Sequence, residues 1–383
     1  MQQLDTGERK PLVRGHGTRY VPSGHLVFVQ GGSLMAVTFD LSRLEVTGSP
    51  VGVVSEVTPP FRLRTMPASF NRLFDVSPTG TLVFLTAGRS AQHALVWVDR
   101  SGREQPVGAS GGTYAQPRVS PDGRRIAVVV RGDDFHDVWL FEPGRNSWER
   151  FTTEGNCEFP LWSADGTRLA YNSDRSGAAT IEWKRSDGSG AAETIVSGEW
   201  ARRSFPFSWS PDGILAFVAL RPAQDIYVVR PGSGEDPKPF VATPFVEGAP
   251  MFAPDGHAMA YVSAETGRNE IYLRIFPGPG ERVRVSSAGG NEPLWSPNGR
   301  ELFYRVGDAL MMVDVTTTPR LAVGTPQRLF EKHYEPSVSL YANYSTIDGE
   351  RFVMVKRIDQ GDAPVRINVA VNWFSELKRV TAR

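Results

Sequence analysis

A single cysteine, Cys157, among 383 residues excludes an intramolecular disulfide and any zinc site built on several thiolates. It leaves the compartment open, because an exported protein need not carry disulfides. No charge of either sign is in excess: 42 basic residues stand against 42 acidic ones. That balance gives no basic field for nucleic acid or for an anionic membrane. Lysine is scarce, 6 against 36 arginines, a ratio that reads as genome composition rather than a binding role. Long apolar runs are missing as well. Stretches such as Ile126–Val130 are strand-sized, far below the roughly 18 residues a membrane helix needs. The start, MQQLDTGERKPLV, has no apolar signal-peptide core, so an element that exports or tethers the protein would have to lie outside this chain. Helical periodicity is absent over any long stretch, with WFSELKRV near the C-terminus as the exception.

What is present is glycine and proline, 38 and 29 residues, with 40% hydrophobic residues to build a core. Their placement is periodic. VPSG at 21–24, SPTG at 77–80, SPDG at 120–123 and SADG at 163–166 are followed by SPDG at 210–213, APDG at 253–256, SPNG at 296–299 and TIDG at 346–349. Successive glycines are 56, 43, 43, 47, 43, 43 and 50 residues apart. A period in the forties is the signature of a propeller array. The chemistry of the string is that of a turn: proline presets φ, aspartate tolerates the bridge region, and glycine accepts positive φ.

A strand-like run follows each turn, as in RRIAVVV, TRLAYNS, HAMAYVS and RELFYRV. A second alternating run comes about ten residues later: DVWLFE at 137–142, TIEWKR at 180–185, DIYVVR at 225–230 and EIYLRI at 270–275. A weaker third run closes the unit, and a run ending in an aromatic precedes the turn. Four strands with short connections make one antiparallel blade. The expected fold is therefore all-β, a β-propeller over residues 1–383 with eight blades, or seven if the irregular end repeats do not count. The last repeat runs out of strands after RFVMVKR and RINVAVNW. Residues 1–14 are left over, so Lys10–Arg14 is expected to supply the outer strand of the last blade and close the ring.

These S-P-D-G turns, followed by I-A-x-x-S and D-I-Y-V strands, resemble the WD-repeat-like propeller of TolB and its relatives over nearly the whole chain. Several segments also resemble the propeller carried C-terminal to the kinase domain of bacterial membrane-anchored serine/threonine kinases. They are GHLVFVQGGSLMAVTFDLSRLEVTGSPV at 24–51, LVWVDRSGREQPV at 95–107, ETGRNEIYLRIFPGPG at 265–280, EPLWSPNGRELFYR at 292–305 and NWFSELKR at 372–379. The resemblance implies an extracytoplasmic sensor or interaction module, on the periplasmic or cell-surface side. No kinase signature occurs in this chain: it lacks V-A-I-K after a Gly-rich loop, H-R-D and D-F-G.

Candidate chemistry is thin. Gly108–Gly112 matches G-x-S-x-G, but no helix follows to form a nucleophile elbow, and the match reads as chance in a connection between blades. The six histidines have neither H-x-H nor H-E-x-x-H spacing. Asp122, Asp165, Asp212 and Asp255 are explained by turn geometry, and no calcium loop is present. Trp162, Trp209, Phe252 and Trp295 repeat with the blade, which suits packing between blades better than ligand stacking. No catalytic residue, metal or cofactor is expected.

Binding is the remaining expectation. The first-to-second and third-to-fourth connections of a blade share one face, which carries the tight turns. The opposite face carries the longer and more varied loops, the usual home of binding residues. Its candidates near the starts of innermost strands are Tyr114, Asn156, Glu158, Arg202, Arg203, Glu247, Asn291 and Glu292. The second-to-third loops add Asp133, Asp134, Arg175, Glu265 and Arg268. Such a mouth suits a protein or peptide partner, or a small polar ligand. The expected function is a non-catalytic binding or sensing module, a part of a larger signalling protein. The alternatives are a channel enzyme of the lactonase, lyase or hydrolase kind, and a structural scaffold in a periplasmic assembly.

Overall fold

The computed structural model describes residues 10–30, 32–55, 57, 74–86, 92–132, 136–175, 179–196, 198–201, 203–220, 223–278, 280–337, 340–358 and 366–381. The chain separates into two compact units, residues 1–90 with 360–383, and residues 91–359.

In the first unit, β1 (His16–Val21), β2 (His25–Gln30), β3 (Ser33–Asp40) and β4 (Glu45–Val46) form an antiparallel sheet, with β5 (Val51–Val54) also on β3. A second sheet begins with β6 (Phe74–Val76) and β7 (Leu82–Thr86). In the other unit, β8 (His93–Asp99) and β9 (Glu104–Gly112) come first. Four four-stranded sheets follow. They are β10 (Tyr114–Val119), β11 (Ile126–Arg131), β12 (His136–Glu142), β13 (Ser147–Arg150); β14 (Cys157–Trp162), β15 (Arg168–Ser173), β16 (Thr180–Arg185), β17 (Glu193–Val196); β18 (Ser204–Trp209), β19 (Leu215–Leu220), β20 (Gln224–Val229), β21 (Lys238–Val241); and β22 (Glu247–Phe252), β23 (Ala258–Ser263), β24 (Glu270–Ile275), β25 (Arg282–Arg284). The next sheet holds β26 (Asn291–Trp295), β27 (Glu301–Val306), β28 (Ala309–Thr316), β29 (Ala322–Val323) and β30 (Gln327–Glu331). After β31 (Tyr344–Thr346) and β32 (Arg351–Arg357) the chain returns to the first unit as β33 (Arg366–Ala370) and α1 (Trp373–Thr381).

Each of the eight turns joins the first two strands of a separate sheet, so the reading of one turn per sheet holds. The expected closure does not. Lys10–Arg14 forms no strand, and Lys10 instead pairs with Glu45 at 3.0 Å. The last turn belongs to a sheet ordered β31-β32-β8-β9, whose two outer strands come from residues 93–112. The physical reason is the ladder itself. All seven residues of β32 pair with β8, from Arg351↔Asp99 to Arg357↔His93, and Phe352, Val353, Met354 and Val355 are fully buried by it. The RINVAVNW segment, expected beside RFVMVKR, pairs with β7 of the first unit instead. Its sheet has the order β33-β7-β6.

Among the described residues, six sheets of the second unit close on themselves through innermost strands, where one ring of eight or seven blades was expected. Polar bonds tie each sheet to the next. Trp162 Nε1 donates to Arg118 O (3.0 Å), Asn172 Nδ2 to Ser204 O (2.6 Å), Ser208 Oγ to Pro250 O (2.9 Å) and Trp295 Nε1 to Met251 O (3.0 Å). Tyr344 Oη donates to Glu292 O (2.9 Å), and Gln116 N to Asn343 Oδ1 (2.7 Å) returns from the last sheet to the first. Trp162 and Trp295 are buried between sheets, as expected for packing residues. On the turn face, glycine does more than turn. A Cβ on Gly256 (φ +75°) would lie 3.1 Å from Pro211 of the preceding turn, so proline and glycine of successive turns pack together.

The first unit buries Val27, Val29, Leu34, Ala36 and Leu82 against Trp373 and Leu377 of α1. Spaced i, i+4, those two residues form the apolar stripe of the helix. Among the described residues no helix is long and apolar enough to cross a membrane.

Candidate binding face and channel mouth

Four innermost strands of the second unit, β10, β14, β22 and β26, share a device. Gln116, Phe159, Ala249 and Glu292 have φ of 55°, 60°, 51° and 57°, and each precedes a proline. The ladders of these strands shift register at the same place. A bulge of this kind redirects backbone groups at the cost of a left-handed residue, about 1–3 kcal/mol each. Here the redirected N–H groups link neighbouring strands. Phe159 N donates to Gln116 Oε1 at 2.8 Å, and Asn343 N to the Glu292 carboxylate at 2.7 Å.

Tyr341 sits inside this ring. It is fully buried, its hydroxyl donates to Pro160 O, and its ring lies 5.1 Å from Phe159 and 5.2 Å from Phe207. The Arg118 guanidinium stacks 3.9 Å from its centroid and donates to the carbonyls of Ala342 (2.8 Å) and Tyr344 (3.2 Å). Residues from three sheets thus converge on one phenol. Neither Tyr341 nor Arg118 was among the expected site residues. Tyr341 follows no repeat, and Arg118 stands where Leu161, Met251 and Leu294 stand in three other repeats.

The expected site residues lie on or near the starts of innermost strands, but most are engaged within the protein. Tyr114 is buried, stacked on Trp148 (5.3 Å, 12°), and burial pushes its hydroxyl pKa up. Asn156 donates to Asp174 at 2.7 and 3.0 Å and accepts the His136 N–H at 3.1 Å. Glu158 meets the same histidine, 3.1 Å from its Nδ1, and lies 3.8 Å from Arg131. Asn291 accepts from Asn269 Nδ2 at 2.8 Å. Glu292 accepts the backbone N–H groups of Ser337 (3.0 Å) and Asn343, and lies 3.7 Å from Arg305. Burial pushes its carboxyl pKa up against those contacts. Glu247 is fully buried; it accepts from Thr243 (2.6 Å) and Ser263 (3.2 Å), while its Oε2 has no partner among the described residues. Desolvation again raises its pKa. Arg203 is exposed with φ 63°, and Arg202 lies outside the described residues. Asn156 and Glu158 share a partner, His136. Asp133 and Asp134 also lie outside the described residues, while Arg175 and Arg268 pair with Glu182 (3.0 Å) and Glu270 (2.7 Å), and Glu265 with Arg282.

The repeat held a further signal. Asp137 and Glu270 stand at or next to the first residue of the third strands of their sheets and hold the connection that leads to the next sheet. Asp137 accepts from Arg150 (2.7 Å) and Thr152 (3.3 Å), and Glu270 from Ser286 and from Gly289 N (3.1 Å). The aspartates of the tight turns are explained locally: Ser120 and Ser163 donate to Asp122 and Asp165 at 2.6 Å, holding both below the usual carboxylate range. Gly108–Gly112 lies within strand β9 rather than in a connection between blades. Among the described residues no three His, Cys, Asp or Glu side chains come together to hold a metal.

No family model matches the chain. In structure it is similar to a putative TolB from Agrobacterium tumefaciens, with a TM-score of 0.59 and 20% identity, over 70% of this chain and 99% of that one. The fold is a TolB-like β-propeller. In sequence this TolB-like chain is 28% identical over 158 residues to a TolB homolog of Chlorobium luteolum, covering 41% of this chain and 35% of the relative. It is 31% identical over 149 residues to the Tol-Pal system protein TolB of Bordetella pertussis, covering 39% and 34%. The matches thus span about a third of the length of these curated relatives.

Proposed function

We propose that this TolB-like propeller is a non-catalytic binding module that holds a protein partner on the face carrying the longer connections. The observation that carries the reading is Tyr341. A channel enzyme needs space and reacting groups between its innermost strands, and the packing of Tyr341 on Arg118, Phe159 and Phe207 between three of them supports the binding reading instead. Recognition is thereby left to surface loops. The similarity to a Tol-Pal system protein supports a protein as partner and the periplasm as the compartment. The resemblance to kinase-linked propellers supports a sensing role within a longer signalling protein. The expected contact residues are Arg202 and Arg203, which precede β18 in the sequence, together with the connections that carry Asn156, Asn291 and the buried Glu292.

Capture from a cell-envelope extract by the immobilised protein tests this reading. A specific protein should be retained by wild type and lost on charge reversal, Arg202→Glu with Arg203→Glu. Stoichiometric metal together with turnover in a lyase and hydrolase substrate screen would overturn it.

A further inference from the structure

The tight-turn face carries a second feature, independent of the proposed partner face. A cleft of about 490 Å³ opens between the sheet β18–β21 and the sheet β22–β25. One position beside it sets it apart from two of the other sheets. The carbonyl of the residue that closes the turn accepts the N–H of the residue that opens it: Arg125 from Ser120, Glu301 from Ser296, Ala258 from Ala253 and Ile214 from Ser210. Arg125 bridges to the next sheet, donating to Ser186 O at 2.7 Å and lying 5.0 Å over the Trp162 ring. Glu301 also bridges, accepting from Arg100 at 2.8 and 2.7 Å. Ile214 is too short and too apolar to do either, and the cleft opens beside it.

Its lining pairs an apolar floor with one cation. Phe240 and Phe276 lie 5.6 Å apart as ring centroids, and Ile214 and Val228 complete the floor. Arg274 enters from β24. It donates to Phe240 O at 3.2 Å and lies 5.5 Å from that ring, but its Nε is buried with no partner among the described residues. A buried guanidinium donor without an acceptor is unfavourable, and a carboxylate is the acceptor that matches its fork. The other charges at the cleft are neutralised or solvated. Lys238 pairs with Glu235 at 2.8 Å, Arg230 with Asp212, and Asp236 is exposed, where water screens it.

We propose that this cleft binds a small apolar carboxylate, an aromatic or short-chain acid, with Arg274 as the anchoring cation and Phe240, Phe276 and Ile214 against the hydrocarbon. The volume lies within the roughly 300–1,000 Å³ typical of small-molecule sites. Sodium 4-phenylbutyrate is a suitable probe, with 4-phenylbutyramide as the uncharged control, both titrated into the full chain by calorimetry and ligand-observed NMR. The acid should bind saturably at one site and at least tenfold more tightly than the amide. Arg274→Met should weaken it at least tenfold without changing the melting temperature. Ile214→Arg, which supplies the bridging side chain found at Arg125, should abolish binding while leaving protein-partner capture intact. Equal affinity for acid and amide would overturn the proposal. So would wild-type affinity in Ile214→Arg, or no saturable binding at millimolar concentrations.

Discussion

Tyr341 shows how much one side chain can hold when several strands converge on it. Truncation to alanine removes a fully buried ring that packs on Arg118, Phe159 and Phe207. Tyr341→Ala should therefore cost about 3–5 kcal/mol in urea unfolding, whereas Tyr341→Phe, which gives up the bond to Pro160 O, should cost about 1–2 kcal/mol. Equal losses would mean that the hydroxyl, not the ring, is the fastening. Glu247 predicts a pH effect. Burial raises its folded-state pKa, so the folded protein binds the proton more tightly than the unfolded chain does. Stability from this group is then full below the ordinary carboxylate range and lost as pH rises towards the raised value. Glu247→Gln should flatten this component, and its melting temperature relative to wild type should be higher at pH 7 than at pH 4. An unchanged difference between the two pH values would refute the assignment. Tyr341 was not recognisable beforehand. Glu247 was legible as the start of an innermost strand, but its burial depends on Thr243 and Ser263 arriving from elsewhere in the sheet.

At the scale of the element, the turn string carried more than a turn. Proline and glycine were read for the φ values they allow, yet Pro211 also packs on Gly256 of the next turn. Gly256→Ala should thus cost more than Gly267→Ala, which has similar φ (+86°) but nothing within 4 Å of the added methyl. About 1 kcal/mol of strain is expected for Gly267→Ala, and roughly twice that for Gly256→Ala. Chemical denaturation of both variants measures the difference; equal losses would rule out the contact. The strands themselves were legible because alternation and turn chemistry are local. Closure was not. LVWVDRSGREQPV reads as an ordinary strand pair after the second turn, and nothing nearby says that its partner is RFVMVKR, about 250 residues later. Only the completed ladder of β8 with β32, from Asp99↔Arg351 to His93↔Arg357, expresses that preference.

For the whole molecule, the period implied one ring of eight or seven blades; among the described residues each of the eight turns stands in its own sheet, and the division of those sheets into two units was invisible, since every repeat carries a turn of the same kind. A fragment spanning residues 91–359 should melt cooperatively by itself, and removal of residues 93–112 from it should abolish that transition. Non-cooperative melting of the intact fragment would contradict the self-closed arrangement. The closing sheet also has a mechanical consequence. Gln92 O accepts the N–H of Ile358 at 2.9 Å, and His93 pairs with Arg357, so the two ends of the second unit leave side by side from one end of an antiparallel ladder. Tension applied through the flanking chain would load those hydrogen bonds in sequence, like a zipper, rather than all together in shear. The strand pair that completes the unit is therefore also its release point under force.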